Sequence, residues 1–300
     1  MLEKNYFKIV LINDTSLNRH FGCHFLMKEM NKLLKDNKFI VKKRIFNDEN
    51  NIYNEVTKIN SEQIDFAIIN GEGTLHGQEN PKVNEILKCA EFLSLKLKKK
   101  VFLFNSTVAD LNEDQLKYFQ YFTKIYVREI SSYNFLNKNN INSDIVPDFL
   151  IGYNFNYKFI QKNKNITFTD SSFKKLDIDF GFKNKINEIQ IKYYNRLEYY
   201  ISRLYIKFKF LSFFYYFLQY LKNYRANNFI KNIINSKLLV TGRFHAMIMC
   251  FALQIPFFAY KSQSSKIEGV LNDAGLFHRF INLSGFQLSS EDNFKLTNEE

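Results

Sequence analysis

Asp65-Phe66-Ala67-Ile68-Ile69-Asn70-Gly71-Glu72-Gly73-Thr74-Leu75-His76-Gly77 is the stretch on which the reading of the fold turns. Ile64 to Asn70 is an apolar run of strand length that stops at Gly71. Three glycines then fall within residues 71–77 of a chain that has only ten. A continuous apolar run, unlike an alternating one, suits a strand covered on both faces. Glycine tolerates positive φ and lets a ligand approach the backbone. N–H groups exposed in such a turn can cradle an anion. A tight strand-to-helix turn with no ligand carries the same glycine pattern, but Glu72, Thr74 and His76 in one turn favour a site.

Working outward, Phe7–Ile12, Phe39–Phe46, Val101–Phe104, Ile125–Val127 and Ser143–Val146 read as further strands. His20–Lys35, Val83–Leu97 and Glu113–Phe122 carry apolar residues at helical spacing. Strands alternating with helices imply βα units and a mainly parallel sheet. Ligands of such sheets bind beyond the carboxyl ends of the strands, so the loops after Ile12, Asn70, Phe104 and Val127 are the places to search. Beyond Pro147-Asp148 the pattern relaxes, and 151–165 reads as a linker. A second α/β unit starts at Ile166–Phe168 and resumes with the strand Leu238–Val240, the helix His245–Leu253 and the strand Phe257–Tyr260. The expected organisation is an N-terminal Rossmann-like domain at 1–150 and a C-terminal one at 166–300, with an insertion at about 185–235.

That insertion is crowded with Tyr and Phe. Between Ile189 and Arg225 it has seven basic residues (Lys192, Arg196, Arg203, Lys207, Lys209, Lys222, Arg225) and one acidic, Glu198. A basic, aromatic-rich helix can lie on a membrane surface. The alternative is a pair of long helices covering the second sheet, with basic stems reaching from an apolar face. The chain as a whole has a formal charge of +12, which suits nucleic acid, an anionic membrane or an anionic substrate equally, or reflects lysine-rich coding. No nucleic-acid-binding module is present, so nucleic acid is set aside.

Cys23, Cys89 and Cys250 are widely separated, and no pair has the spacing of a zinc site or a disulfide framework. Neither a metal nor a cofactor is expected. Met1–Asn5 does not read as the start of a secretory signal, so none is expected, and the uncharged run Phe210–Leu221 is shorter than the roughly 20 residues a spanning helix needs. The expectation is a cytoplasmic protein, with peripheral contact at the inner face of the cytoplasmic membrane through 189–225 left open.

Two further constellations could carry chemistry. Thr241-Gly242-Arg243-Phe244-His245 follows a strand and opens a helix. Arg243 can grip a carboxylate or phosphate with two parallel bonds, and His245 can move a proton near neutral pH. After Ile255-Pro256 and a strand comes Lys261-Ser262-Gln263-Ser264-Ser265-Lys266, a basic, hydroxyl-rich loop suited to an anion, Lys266 more so than Lys261.

Together these segments resemble the polysaccharide pyruvyl transferase family. Asp65–Gly73 is similar to its Asp-apolar-Gly-Gly-Gly turn, with Glu72 in place of a glycine. Thr241–His245 is similar to its Arg-Leu-His signature, with Phe244 for Leu. Ala252 through Pro256 and Tyr260 to Lys266, then Gly269, Leu271 and Gly275, follow its C-terminal pattern. Val127-Arg128-Glu129 with Ser132, and Pro147-Asp148, look like its central region, with the Asp-Pro pair reversed. Asn13-Asp14-Thr15 departs from its usual Asn-x-Gly-Asp.

The resemblance implies two Rossmann-like domains with a cleft between them, similar to B-type glycosyltransferases. It also implies an enzyme that transfers pyruvyl from phosphoenolpyruvate onto two sugar hydroxyls as a ketal. On that reading Arg128, Arg243 and Lys266 supply positive charge, and His245 is the acid/base. Asn13, Asp14, Gly71, Glu72, Gly73, Thr74 and His76 contact donor or substrate. The partner is a glycan or lipid-linked saccharide acceptor of capsule, lipopolysaccharide or exopolysaccharide assembly. A glycosyltransferase using a nucleotide-activated sugar is the alternative, and a non-catalytic membrane-surface protein a third reading.

Overall fold

The structure is a computed structural model that describes residues 6–47, 51–155, 165–169, 186–189, 191, 196–208, 212–262 and 265–282. It divides into two compact units. Unit 1 comprises residues 1–18 and 27–149, and unit 2 comprises 19–26 and 150–300. The passage from one to the other at Phe149/Leu150 falls where the sequence pattern relaxes. Residues 19–26, read from sequence as part of the N-terminal domain, pack with unit 2 instead. The reason is aromatic: the Phe21 ring lies 4.9 Å from Phe229, and the Phe25 ring lies 5.2 Å from Tyr153 and 5.1 Å from Phe155.

Unit 1 is built on β1 (Phe7–Asp14), the part of α1 (Phe21–Asp36) from Met27 onward, β2 (Phe39–Phe46), α2 (Ile52–Thr57), β3 (Phe66–Glu72), α3 (Pro81–Glu91), β4 (Lys100–Ser106), α4 (Glu113–Lys117), β5 (Lys124–Val127), α5 (Ile130–Lys138) and β6 (Asp144–Ile145), the first turns of α1 belonging to unit 2. The six strands form one parallel sheet in the order β2-β1-β3-β4-β5-β6. Strand order reverses between β1 and β3, which makes their carboxyl ends the topological switch point. Ile9 to Ile12, Ala67 and Ile69 are wholly buried, as a doubly covered sheet requires. Helix starts are written in the sequence. The Asn80 side chain accepts from the Lys82 N–H with Pro81 in the first turn, and Asn112 and Gln115 form a reciprocal capping box. The helix expected at 83–97 is α3 followed by a π-helical turn at Phe92–Lys96.

Unit 2 contains β7 (Ile166–Thr169), β8 (Ile186–Ile189), α6 (Arg196–Lys207), α7 (Ser212–Ile234), β9 (Leu238–Thr241), α8 (Phe244–Leu253), β10 (Phe257–Ala259) and α9 (Lys266–Asp273). Its parallel sheet runs β10-β9-β7-β8. The switch point here lies between β7 and β9. Its core joins Phe229, Ile230 and Ile233 of α7 to Leu239, Phe257 and the nearly all-apolar α8. Both units are thus Rossmann-like, as the sequence pattern predicts. β8 was not expected, and Lys266, read as loop, is the first residue of α9.

Candidate active site

At the carboxyl edge of the unit 1 sheet, three strands end in left-handed backbone. Asn13 has φ 61°, Glu72 φ 41° and Asn105 φ 56°. Such conformations cost a non-glycine residue roughly 1–2 kcal/mol and concentrate at functional sites. Here they turn polar residues into the switch point. Asn13 Nδ2 donates to the Asn70 carbonyl (2.5 Å) and to Thr74 Oγ1 (3.0 Å), while its Oδ1 accepts from Asn47 Nδ2 (2.6 Å). Glu72 Oε1 accepts from Thr15 Oγ1 and from Asn70 Nδ2 (3.0 Å). β3 runs two residues past the expected stop at Asn70, because Asn70 and Glu72 continue in register with Phe104 and Ser106 of β4. The Gly71 carbonyl accepts from Thr74 N–H (2.9 Å) and closes the turn. A Cβ on Gly71 would lie 2.4 Å from Ser106 Cβ, so glycine there is a packing requirement.

The expected contact residues therefore differ in what they can offer a ligand. Gly71, Glu72, Thr74 and Asn13 are brought together, Gly73 is exposed in the turn, and His76 is half-buried beside Ala109. Asp14 is wholly buried, its carboxylate accepting from Ser16 N–H (2.7 Å) and Arg44 Nη1 (2.6 Å), so it anchors the loop. Two residues that sequence reading passed over as individuals also stand at this edge, Asn105 and Thr107. They lie just beyond the apolar run Val101–Phe104, Asn105 in the last residues of β4 and Thr107 in the loop that follows it. Asn70 Oδ1 and Asn105 Nδ2 are buried with no hydrogen-bond partner among the described residues. Buried amide groups of this kind call for a water or a ligand.

Next along the sheet lies a buried ionic network. The Arg128 side chain is 1% exposed. Its Nε donates to Thr107 Oγ1 (2.9 Å), its Nη1 to Asp148 Oδ2 (2.8 Å), and Glu129 lies 3.5 Å away. Glu129 accepts from Ser132 and from Thr107 (3.2 Å). Burial pushes the Glu129 carboxyl above the usual carboxylate range, with nearby Asp148 acting the same way, against the pull of Arg128 and both hydroxyls. Arg128, expected to offer its charge to a donor, is thus paired with Asp148 and lies beside Glu129. A cavity of about 450 Å³ in this unit, lined by Lys117, Lys124 and Asp144 among others, sits at the amino-terminal ends of β5 and β6, the wrong edge for a ligand of such a sheet.

In unit 2, Thr241 ends β9 and its Oγ1 accepts from Arg243 N–H (3.0 Å), shaping the turn into α8. A Cβ on Gly242 would lie 2.3 Å from the buried Tyr260 ring. Arg243 is the residue before α8, and His245 is buried in its first turn. Lys266 Nζ stands 5.6 Å from the centre of the Phe244 ring. Arg243, His245 and Lys266 are thus gathered at one end of α8, where the helix dipole favours an anion. His245 also meets the first turn of α1. Its ring is 5.3 Å from that of His20, and a Cβ on Gly22 would lie 2.2 Å from His245 Cβ. Gln263 and Ser264 lie outside the described residues.

The aromatic insertion forms two helices, α6 and α7. Its charges are not all outward: Lys222 is buried and Arg225 pairs with buried Glu198 (2.9 Å). Lys192, Lys209 and Phe210 lie outside the described residues. Its apolar residues, in contrast, reach solvent in two stripes. Leu197, Tyr200 and Leu204 are exposed on α6, followed by Phe208. Phe213, Tyr216 and Tyr220, each 70% exposed, are followed by Tyr224 on α7. Spacings of three and four residues place each set on one helix face, while Phe214 and Phe217 are half-buried. Among the described residues, no helix is long and apolar enough to cross a membrane.

A family model described as polysaccharide pyruvyl transferase matches residues 1–264. No curated protein matches the sequence. Among solved structures, a functionally uncharacterised protein from Klebsiella pneumoniae subsp. pneumoniae is similar at 14% identity with a TM-score of 0.56, covering 92% of this chain and 93% of that one. A candidate UDP-N-acetylglucosamine 2-epimerase from Listeria monocytogenes is 10% identical over 90% of this chain and 83% of its own, with a TM-score of 0.49. The first of these shares the fold.

Proposed function

The chain belongs to the polysaccharide pyruvyl transferase family, and from that premise we propose that it transfers pyruvyl from phosphoenolpyruvate to a pair of hydroxyls on a surface polysaccharide or its lipid-linked precursor. The observation that carries the reading is the grouping of Arg243, His245 and Lys266 around the first turn of α8. The donor bears a carboxylate and a phosphate, so it needs two cationic groups and a proton source. Arg243 is the fork for one anion and Lys266 the point charge for the other. His245 delivers the proton to the methylene carbon and accepts protons from the attacking hydroxyls. Two sugar O–H bonds break and two C–O bonds form at the central carbon of the donor. One proton ends on the new methyl group, the other leaves with phosphate as its C–O bond breaks. Phosphoenolpyruvate is itself activated, so the reaction asks for no cofactor.

Asn13, Gly71, Glu72, Gly73, Thr74 and His76 supply substrate contacts at the unit 1 switch point, with Asn70 and Asn105 added to them. Arg128 acts as a positioning residue that holds the β5–α5 loop to Asp148. The exposed stripes of α6 and α7 give the protein a face for peripheral contact with an anionic membrane carrying the acceptor, at the cytoplasmic side.

The test supplies phosphoenolpyruvate and oligosaccharide acceptors and measures phosphate release together with acceptor mass. Acceptor-dependent release, with a mass gain of pyruvic acid less water, supports the reading. Glycosyl transfer from a nucleotide sugar, with phosphoenolpyruvate untouched, replaces it with the glycosyltransferase alternative.

A further inference from the structure

We propose that unit 2 binds a zinc-class divalent cation through His20, Cys23 and His245, and that occupancy switches the enzyme off. One ligand atom from each residue lies within 4.8 Å of the other two. Sequence spacing conceals the set, because no two cysteines take part and His245 lies far along the chain. Two imidazoles and a thiolate are a borderline-soft set suited to zinc, whereas magnesium and calcium prefer oxygen. Around one tetrahedral zinc, with bonds of about 2.0–2.3 Å, ligand atoms stand roughly 3.3–3.8 Å apart. The observed grouping therefore closes onto an ion by rotamer shifts of about an ångström. Three protein ligands leave a fourth position for water.

The surroundings are built for close approach rather than for chance packing. His20 and Cys23 are one turn apart at the start of α1, with the Cys23 N–H directed to His20 Nδ1 at 3.4 Å. Gly22 between them is the residue that lets the His245 ring reach that turn, since any Cβ there would sit 2.4 Å from its Cγ. Cys23 and His245 are buried and His20 is half-buried, which gives an ion two shielded ligands and one open side. A thiolate in the first turn of a helix also faces the positive end of the dipole.

The regulatory half of this inference rests on the transfer reading above, because it follows from the role of His245: an imidazole bound to a metal through one nitrogen cannot shuttle the reaction's proton through it. The binding half does not depend on any substrate. The experiment titrates the whole metal-free protein with Co²⁺ and then Zn²⁺, without phosphoenolpyruvate or acceptor. The expected result is one ion per chain, with a near-ultraviolet thiolate-to-cobalt absorption that zinc removes. Cys23→Ser should abolish that band, and His20→Asn should weaken zinc binding at least tenfold, with circular dichroism showing that both variants are folded. Cys89→Ala should bind as the parent does.

In the transfer assay zinc should inhibit the parent, and Cys23→Ser should need at least tenfold more zinc for the same inhibition. Absence of a sulfur-to-cobalt band, or Cys23→Ser and His20→Asn binding zinc like the parent, overturns the site. Zinc bound with transfer undiminished overturns the switch. Absence of pyruvyl transfer, with the cobalt band present and lost in Cys23→Ser, overturns the transfer reading and its switch and leaves the site standing.

Discussion

Glu72 shows how one residue can combine backbone strain with the hydrogen bonds that offset it. It stands where the family's turn has glycine, and its φ of 41° is a glycine-like conformation. Its carboxylate offsets the strain through Thr15 and Asn70. Glu72→Ala loses those bonds and keeps the strain, whereas Glu72→Gly loses the bonds and relieves it. The glycine variant should therefore be the more stable of the two by about 1 kcal/mol in urea denaturation, the reverse of the usual order. Equal stabilities would mean that the backbone at 72 is not strained. Glu129 gives a pH signature. Its folded pKa is raised, so between the ordinary value near 4.5 and the raised one the folded state holds a proton that the unfolded chain has released. Stability should fall as pH rises through that window and level off above it. Glu129→Gln should remove that component, so melting temperatures of the two proteins, measured upward from pH 4.5, should converge or cross as the window is passed. Parallel curves would assign Glu129 an unshifted pKa. In catalysis, His245→Ala should cut turnover by roughly 100-fold or more, the scale of a lost acid/base. Arg243→Lys should lower kcat/KM for phosphoenolpyruvate, since a point charge does not replace a fork. A folded His245→Ala variant with parental turnover removes His245 from the mechanism.

At the scale of elements, α6 and α7 decide whether the insertion is more than padding. Of its seven basic residues, Lys222 is buried and Arg225 is bound to Glu198, so electrostatic attraction is weaker than the sequence count suggests. Arg196 and Lys207 remain exposed, so in the proposed membrane contact the larger share falls to the aromatic stripes. With each surface cation contributing about 1 kcal/mol near anionic lipid, binding to phosphatidylserine-containing vesicles should be present at low salt and decline as salt rises. Replacing Tyr216 and Tyr220 together by Ser should weaken it several-fold at fixed salt. Sedimentation with vesicles reads both effects, and a parent protein that stays in the supernatant at low salt would make the stripes a surface for something other than lipid. The helices themselves were legible as apolar spacing. Which face turned outward was not, because Tyr and Phe occupy every side of α7 and periodicity cannot choose among equally apolar faces.

For the whole molecule, ligand binding is the broadest test of function. A ligand that binds only the folded chain stabilises it by about 2.7 kcal/mol at a hundred times its Kd, enough to move Tm by several degrees. Phosphoenolpyruvate should do this and UDP-N-acetylglucosamine should not, by differential scanning fluorimetry. The opposite pattern would favour the nucleotide-sugar reading. Much of this architecture stands in the sequence. Apolar runs of strand length, broken by helical periodicity, determine two parallel-sheet units, and the glycine turn after β3 and the Arg-Phe-His turn after β9 mark the carboxyl edges of their sheets. These are local signals, since each depends on residues within one element and its flanking turn. Tertiary structure alone decided the rest. It assigned residues 19–26 to unit 2 through the rings of Phe21 and Phe25, committed Arg128 to Asp148, and set Glu72 in a left-handed turn. It also gathered His20, Cys23 and His245 across a gap at Gly22. Each of these depends on which distant side chains fill the same volume, and a one-dimensional pattern of polarity carries no information about that.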